Sequence, residues 1–396
     1  MQTIRIKQLD QLKAKLQSGY FVSENNFFEA FEALFLTEVA HNRCESGAVN
    51  WKEVTRHHLE LIARVTQIHE MEETAQNIQA LEETLSVELA MEASLDGKRG
   101  KRIYCLKAEE TEYDCIGDIH ADPNSLMTIL KRSHFVNSAI DGKLHRLVFM
   151  GDYVDRGKAH LATLARLLSL KICFPNHIFL IRGNHDGGEI EQSGQVKLPY
   201  RKPEEEPDED YFPTYLTKLI TVQPSAKPLL EAYLTFFNTL GQIAFIQSKS
   251  KVTMIAHGGI PRPILESGTY FSYLNQLSDL SDRAILDPFG RTMVQNLMWS
   301  DPYNDGGDLR EGMGRFYFTE AQFLDFLETI GVHQMLRGHQ WMEEGYRAQF
   351  QNRIYTIFSS GQWQGETFND MTAYDKVQAK WARLTTDGDI QIHPMA

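Results

Sequence analysis

Five predicted β-strands in this sequence each run directly into a short polar turn, and these turns constrain the fold more than any other feature. The polar residues of the five turns are Asp118 and His120; Asp152, Asp155 and Arg156; Asn184 and His185; His257; and His339. In open α/β sheets, ligands bind at the carboxyl ends of the strands. The pattern therefore predicts a layered α/β domain in which the five turns face one pocket.

The side chains in these turns predict a metal site. Together they offer carboxylates, imidazoles and an amide oxygen, which suits a pair of first-row transition ions and is too rich in nitrogen for magnesium or calcium. We expect manganese, with iron or zinc as alternatives. Glycines precede Asp118, Asp152, Asn184 and His339, as expected where a strand turns sharply and its backbone approaches bound ions. One such turn is commonplace, but five of them, each after a strand, indicate a binding site.

The first part of the chain has a different pattern. All 13 prolines lie at or after Pro123, and the stretches 25–41, 51–71 and 72–95 are predicted to be helices. In the last two, apolar residues recur mostly at three-to-four-residue spacing. We therefore expect an all-helical module at residues 1–101, a hairpin or small bundle that leaves through "LDGKRGKR" (95–102). It is interpreted as a structural buttress or, alternatively, as a docking element for a partner.

From residue 102 to residue 396, short strands alternate with helices, as expected for a layered α/β domain. The predicted strands lie within 102–107, 112–118, 145–152, 177–185, 242–247, 252–259, 332–339 and 353–361, and the predicted helices within 123–134, 158–172, 226–240 and 319–330. An acidic, proline-containing insert near 202–213 opposes regular structure. It is interpreted as a solvated loop or, alternatively, as a loop that gates the pocket or attracts basic substrates.

Composition excludes several classes of protein. A formal net charge of −13 and a pI near 5.6 argue against broad binding to nucleic acid or anionic lipid. The four cysteines form no CxxC pair, so we expect reduced, buried thiols. The N-terminus lacks the apolar core of a signal peptide, and we expect no transmembrane segment. These features together predict a cytoplasmic protein.

The series "GDIHAD", "GDYVDRG", "RGNHD", "HGG", "MWSDP" and "RGHQWMEEGYR" resembles the PPP-type protein serine/threonine phosphatases of the calcineurin-like metallophosphoesterase superfamily. The resemblance spans roughly residues 112 to 385, and "WSDP" and "RGHQ…EGY" are markers of the protein phosphatase branch. It implies the calcineurin-like fold of layered β-sheets flanked by helices. It also implies hydrolysis of phosphoserine and phosphothreonine in phosphoproteins by direct attack of a metal-bridging hydroxide.

The resemblance further implies a role for each turn residue. The first metal ion would be held by Asp118, His120 and Asp152, and the second by Asp152, Asn184, His257 and His339. His185 would protonate the leaving group, and Asp155 would orient the His185 imidazole. Arg156, Arg315 and Asn184 would bind the phosphate.

Several departures from the family pattern leave alternatives open. Ala121 and Asp186 replace the family's glycine and glutamate, Arg310 competes with Arg315 for the phosphate, and Trp363 lies near the position of a family tyrosine. The alternatives are a phosphotyrosine-specific phosphatase, a nucleotide (diadenosine polyphosphate) phosphoesterase, and a binding module without activity. The helical extension, acidic insert and divergent rim are loosely similar to the Wip-type effector phosphatases that Legionella delivers into host cells. An effector of that kind would reach the host cytoplasm without a cleaved signal peptide.

Overall fold

A computed structural model describes most of the chain. The described residues are 4–35, 50–193, 196–197, 211–264, 270–282, 284, 290–304, 310–312, 315–361 and 374–395. The acidic insert near 202–213 lies outside the described residues apart from its last three positions, and Trp363 lies outside them as well. None of the helices in the described part of the chain is long and apolar enough to cross a membrane.

Among the described residues, five helices come first in the chain, and strands and helices are interspersed from residue 98 onward. The helices are α1 (Ile4–Gln17), α2 (Glu24–Glu32), α3 (Trp51–Glu72), α4 (Ala75–Glu82), α5 (Val87–Ala93), α6 (Pro123–Arg132), α7 (Phe135–Ile140), α8 (His160–Cys173), α9 (Phe212–Val222), α10 (Lys227–Phe237), α11 (Met293–Trp299) and α12 (Glu320–Ile330). The strands are β1 (Lys98–Gly100), β2 (Ile103–Lys107), β3 (Glu112–Ile116), β4 (His145–Phe149), β5 (Ile178–Leu180), β6 (Glu189–Ile190), β7 (Val196–Lys197), β8 (Ile243–Gln247), β9 (Val252–Ala256), β10 (Asp301–Pro302), β11 (Arg310–Gly312), β12 (Arg315–Phe318), β13 (Gln334–Arg337), β14 (Tyr346–Gln349), β15 (Ile354–Ile357), β16 (Lys380–Leu384) and β17 (Ile390–Pro394).

Two large sheets form the centre of the molecule. One has seven strands in the order β1-β2-β8-β9-β13-β15-β14, and the other has five in the order β17-β16-β3-β4-β5. Side chains alternate between the faces of each strand, so Tyr104 and Leu106 of β2 pack against the other sheet while Ile103 and Cys105 face the helices outside. The result is a four-layer arrangement of helices, sheet, sheet and helices, which confirms the predicted layered α/β architecture of β-sheets flanked by helices.

The strand ends of both sheets meet at one place. Strands β3, β4 and β5 run parallel in the five-stranded sheet, and β9, β13 and β15 run parallel in the seven-stranded sheet. A parallel bridge between Asp118, just after β3, and Phe358, just after β15, links the two sheets at their carboxyl ends. The polar turns predicted from the sequence are therefore brought to a common edge.

Helix α6 shows how one of these turns is built. Asp122 caps the helix, because its Oδ1 accepts hydrogen bonds from the backbone N–H groups of Asn124 (3.0 Å) and Ser125 (2.9 Å). Pro123 occupies the first turn, where its missing N–H costs no helical hydrogen bond. The turn between β3 and α6 is thus held at both ends.

The N-terminal part of the chain is helical, as predicted, although residues 36–41 of the stretch predicted over 25–41 lie outside the described residues. Helices α4 and α5 pack on the seven-stranded side of the molecule, whereas α1, α2 and α3 pack on the five-stranded side. Their buried apolar side chains, including Leu9, Phe27 and Leu61, share one core with those of α6, α8 and α10. The division of the chain into a helical module at residues 1–101 and an α/β domain at residues 102–396 remains a prediction. Residues 98–100, in the stretch interpreted as the exit of the helical module, form an edge strand of the seven-stranded sheet.

The eight predicted strands and the four predicted helices of the α/β part all contain an observed element, whereas the single helix predicted over 72–95 is wrong. That stretch forms α4 and α5, separated at residues 83–86. Thr84 Oγ1 accepts a hydrogen bond from the backbone N–H of Ser86 (2.9 Å), and the Ser86 hydroxyl caps α5. Short hydroxyl side chains therefore satisfy the backbone here in place of a continuous helix.

Candidate metal centre

The turn after β3 supplies Asp118 and His120, both buried. The Nδ1 atom of His120 lies 2.9 Å from the carbonyl oxygen of Val154. Because that carbonyl can only accept a hydrogen bond, Nδ1 carries the proton and Nε2 faces the site. This Nε2 lies 3.6 Å from Asp118 Oδ2 and 3.7 Å from Asp152 Oδ2. The first predicted group of ligands is therefore brought together.

Asp152, after β4, occupies the centre of the site. Its Oδ1 accepts a hydrogen bond from the backbone N–H of His185 (2.9 Å). Its Oδ2 lies 3.3 Å from His257 Nε2, 3.7 Å from His120 Nε2 and 4.0 Å from His185 Nε2. Burial opposes ionisation of this carboxyl group, but the imidazoles of His257 and His185 hold its pKa well below the usual value. A single carboxylate oxygen therefore faces imidazoles on both sides.

The second predicted group is also assembled. Asn184 Oδ1 lies 2.7 Å from His257 Nε2 and 2.8 Å from His339 Nδ1. The other ring nitrogen of His257 lies 2.8 Å from the carbonyl oxygen of Met150 and carries a proton for the same reason as in His120. Burial lowers the pKa of His257, but the adjacent Asp152 carboxylate has the larger, opposite effect, and the pKa rises to about 9. The backbone N–H of His339 donates to Asp118 Oδ1 (2.9 Å), which ties the two groups together.

Two glycines make this close approach possible. A Cβ atom on Gly183 would lie 2.1 Å from Asp152 Oδ1, and a Cβ atom on Gly338 would lie 2.3 Å from Asp118 Oδ1. No side chain can occupy either position without displacing a candidate ligand. The expectation that the glycines permit a close backbone approach at these turns is met at both positions.

The polar atoms of the site fit bound cations. In the described part of the chain, Asp118 Oδ2 and His339 Nε2 are buried without a hydrogen-bond partner. Two groups of ligand atoms each lie within 4.8 Å of one another, one from His120, Asp152 and His185 and the other from Asp152, His257 and His339. Buried lone pairs without protons between them are costly, and a cation removes that cost. The two groups share Asp152 and are consistent with a dinuclear metal site.

His185 and Asp155 form a buried pair beside the first group. His185 Nδ1 lies 2.9 Å from Asp155 Oδ2, and Asp155 Oδ1 accepts a hydrogen bond from the backbone N–H of Phe212 (2.6 Å). Burial raises the pKa of Asp155 well above its usual value and lowers that of His185 well below its own. Burial thus favours a pair without net charge, and such a pair keeps a proton on His185 Nε2.

The two arginines lie beside different histidines of the centre, Arg156 near His185 and Arg315 near His339. The guanidinium of Arg156 faces the ring of Tyr211, with its Cζ 5.7 Å from the ring centroid. Arg315 Nη1 donates to Asp301 Oδ2 (2.9 Å), and its guanidinium lies 5.4 Å from the Trp299 ring, which packs edge-on against His339. The side chain of Arg310, the competing candidate, lies outside the described residues.

Two carboxylates, those of Asp186 and Asp301, make contacts in the site that the sequence did not predict. Asp186 accepts hydrogen bonds from the backbone N–H groups of Gly183 (2.8 Å), Asp152 (2.7 Å) and Tyr153 (2.9 Å), and so joins the turns after β4 and β5. Burial and the neighbouring Asp152 raise the pKa of Asp186 to about 7.

Asp301, in the "WSDP" stretch, pairs with the fully buried Arg337 (2.8 Å) and lies 3.7 Å from His339 Nε2. The only sequence signal for either carboxylate was its place within a quoted motif.

Comparisons with known proteins agree with this geometry. The family model "Calcineurin-like phosphoesterase" matches residues 113–341, which is more than half of the 396 residues. Among solved structures, the chain is similar to a protein serine/threonine phosphatase from Saccharomyces cerevisiae with similarity to human phosphatase PP5, with 16% identity, a TM-score of 0.53, and coverage of 86% of this chain and 93% of that one.

The chain also matches a cold-active protein-tyrosine phosphatase of a psychrophilic Shewanella species, with 18% identity, a TM-score of 0.41, and coverage of 72% of this chain and 82% of that one. At 16% identity, the likeness to the yeast phosphatase shows no more than a shared fold. The family match covers the turns after β3, β4, β5, β9 and β13 that build the site. The chain therefore belongs to the calcineurin-like phosphoesterase family.

Proposed function

We propose that this phosphoesterase is a dinuclear metal-dependent protein phosphatase that acts on phosphoserine and phosphothreonine. The observation that carries the proposal is the buried His185–Asp155 pair, whose imidazole Nε2 lies 4.0 Å from the shared Asp152 carboxylate. A serine or threonine alkoxide is a poor leaving group, so a proton donor beside the metal site matters most for these esters. The yeast relative is described as a serine/threonine phosphatase, which agrees with this proposal.

The proposal assigns the ligands as the sequence predicts. Asp118, His120 and Asp152 would hold one ion, and Asp152, Asn184, His257 and His339 would hold the other. Two such ions would supply Lewis acidity toward the phosphoryl oxygens and would lower the pKa of water.

The remaining residues of the site act on the substrate or orient a group that does. His185 gives the proton at Nε2 to the departing oxygen, and Asp155 holds the imidazole in the orientation for that transfer through Nδ1. The planar guanidinium groups of Arg156 and Arg315 bind phosphoryl oxygens, as such forks do for phosphate, and Asn184 assists them. The site thus binds, orients and protonates with groups that the fold holds in place.

A phosphotyrosine substrate is the second candidate, and one observation favours it. Tyr374 stacks on the His120 ring at 5.8 Å with an interplanar angle of 27°, and Trp341, 44% exposed, lies 6.2 Å from Tyr374. This aromatic rim could receive a phenyl ring. The same rim could receive a nucleobase, which keeps the diadenosine polyphosphate alternative in the test.

The test is a substrate panel on the manganese-loaded protein. Phosphoserine, phosphothreonine and phosphotyrosine versions of one peptide are compared with diadenosine tetraphosphate, and kcat/KM is measured for each. Highest values for the phosphoserine and phosphothreonine peptides support the proposal. A profile confined to phosphotyrosine or to the nucleotide overturns it in favour of that alternative. Asp152→Asn, which removes the shared carboxylate, serves as the inactive control.

A further inference from the structure

Two consecutive residues outside the predicted site, Tyr211 and Phe212, reach the His185–Asp155 pair directly. The Tyr211 ring lies nearly parallel to the His185 imidazole, with an interplanar angle of 11° and 6.4 Å between centroids. The backbone N–H of Phe212 donates to Asp155 Oδ1 at 2.6 Å. Tyr211 is fully buried. One residue thus flanks the imidazole, and its neighbour holds the carboxylate.

The Tyr211 ring also faces the phosphate-binding arginine. The Cζ atom of Arg156 lies 5.7 Å from the ring centroid, within the range in which a guanidinium is attracted to an aromatic face. The same ring therefore contacts the proposed proton donor and the proposed phosphate clamp, which are supplied by different strand ends.

The packing behind these residues keeps them in place. Phe212 begins α9 and packs against the rings of His160 (5.3 Å) and Tyr233 (5.2 Å). His160 Nδ1 in turn accepts the backbone N–H of Asp155 (3.3 Å). Tyr233 is bonded through its hydroxyl to His58 Nδ1 of α3 (2.5 Å). The segment that carries Tyr211 is thereby anchored in the core. It is also tied to Asp155 in two ways, through the backbone of Phe212 and through His160.

We propose that Tyr211 is a positioning residue that fixes the plane of the His185 imidazole and the direction of the Arg156 guanidinium. The hydrogen bond to Asp155 fixes one atom of the imidazole but leaves rotation about that bond, and a parallel ring removes this freedom. The inference rests on the proposed phosphatase function. The ring, not the hydroxyl, carries the role, so phenylalanine can replace tyrosine and leucine cannot.

The test compares Tyr211→Leu with Tyr211→Phe on two esters, phenyl phosphate and p-nitrophenyl phosphate. The nitrophenolate leaves without needing a proton, whereas phenolate departs faster with one. In Tyr211→Leu we expect kcat for phenyl phosphate to fall about tenfold or more, the scale of a misplaced catalytic group. We expect kcat for p-nitrophenyl phosphate to fall much less, and KM to rise for both esters because Arg156 is less well oriented. Tyr211→Phe should restore the wild-type pattern.

The controls separate positioning from loss of structure. Phe326→Leu removes a buried ring of α12 that packs on Phe271 in the core on the seven-stranded side, and should leave the ratio of the two rates unchanged. Metal content and melting temperature are measured for every variant. An equal fall of kcat for both esters in Tyr211→Leu, or a phenylalanine variant that behaves like leucine, overturns the inference.

A second readout is independent of activity. The imidazole resonances of His185, observed by NMR after histidine labelling, should shift in Tyr211→Leu and stay near their wild-type positions in Tyr211→Phe. Unchanged resonances in the leucine variant also overturn the inference. A wild-type protein that hydrolyses neither ester would refute the proposed function, and the resonances would then decide the positioning of His185 alone.

Discussion

Replacing Glu72 by glutamine should destabilise the protein more than a loss of any exposed ion pair. The Lys171 ammonium of α8 is fully buried and donates to Glu72 Oε1 of α3, to the carbonyl of Ile178 (2.5 Å) and to that of Pro175 (2.9 Å). The other Glu72 oxygen accepts from the Tyr104 hydroxyl (2.7 Å). In Glu72→Gln, the tyrosine can still donate to the amide oxygen, but the ammonium loses its counter-charge.

The magnitude follows from the burial of both groups. Breaking a buried pair by removing one charge costs about 3–5 kcal/mol, because the other charge remains desolvated. At about 2.1 cal/mol/K of unfolding entropy per residue, a chain of 396 residues has roughly 0.8 kcal/mol/K. The melting temperature should therefore fall by roughly 4–6 °C.

The assay is calorimetry on wild type and variants at equal metal content. Asp389→Asn is the matched control, since it breaks the exposed pair of Asp389 with Lys251 (2.7 Å), for which about 0–1 kcal/mol is expected. The double variant Glu72→Gln/Lys171→Met should recover much of the loss, because no buried charge remains unpaired. A Glu72→Gln protein that melts within about 1 °C of wild type, as the control should, would refute the reasoning.

The remaining predictions concern the centre and the five-stranded sheet. His185→Ala should keep both metal ions and slow hydrolysis by about 10²-fold or more; loss of one ion, measured by elemental analysis, would make His185 a ligand instead. Asp152→Asn should bind less than the full metal content and lose more activity, so full content at a near-normal rate would contradict its shared role. Burial raises the pKa of the Asp114 carboxyl, but hydrogen bonds from His145 and Arg383 hold it below 3.8. The ionised Asp114 carboxylate therefore stabilises the folded protein fully above pH 3.8, and this stabilisation is lost as the pH falls through the lower pKa of the folded state. The difference in stability between wild type and Asp114→Asn should narrow only in strong acid, as measured by thermal melting at a series of pH values.

Eight strands of the α/β part, together with the residues at their ends, could be predicted because both depend on local pattern. A buried strand requires a run of apolar residues, and a polar residue directly after it is placed at the sheet edge whatever the rest of the chain does. Asp118, Asp152 and His257 follow this rule. Strands β16 and β17 are among those that the local pattern did not predict, since they join the five-stranded sheet by pairing with β3 and with each other, and β17 at its edge is not buried.

The helix predicted over 72–95 failed for a related reason. Its apolar spacing is helical, but the hydroxyls of Thr84 and Ser86 compete for the backbone and end α4 before α5 begins. Apolar periodicity records which residues are buried and does not record where the chain must turn to reach the next surface.

The sequence by itself determined the family, the layered α/β architecture and the six side chains that could bind metal. Each of these depends on motifs or apolar patterns within short stretches of the chain. Only the tertiary structure decided that Asp301 pairs with Arg337, that Asp186 joins two turns, and that Tyr211 lies against His185. These contacts join residues that are distant in the chain or separated by an insert. They depend on strand order and on the packing of helices against the sheets, which no local pattern of residues specifies.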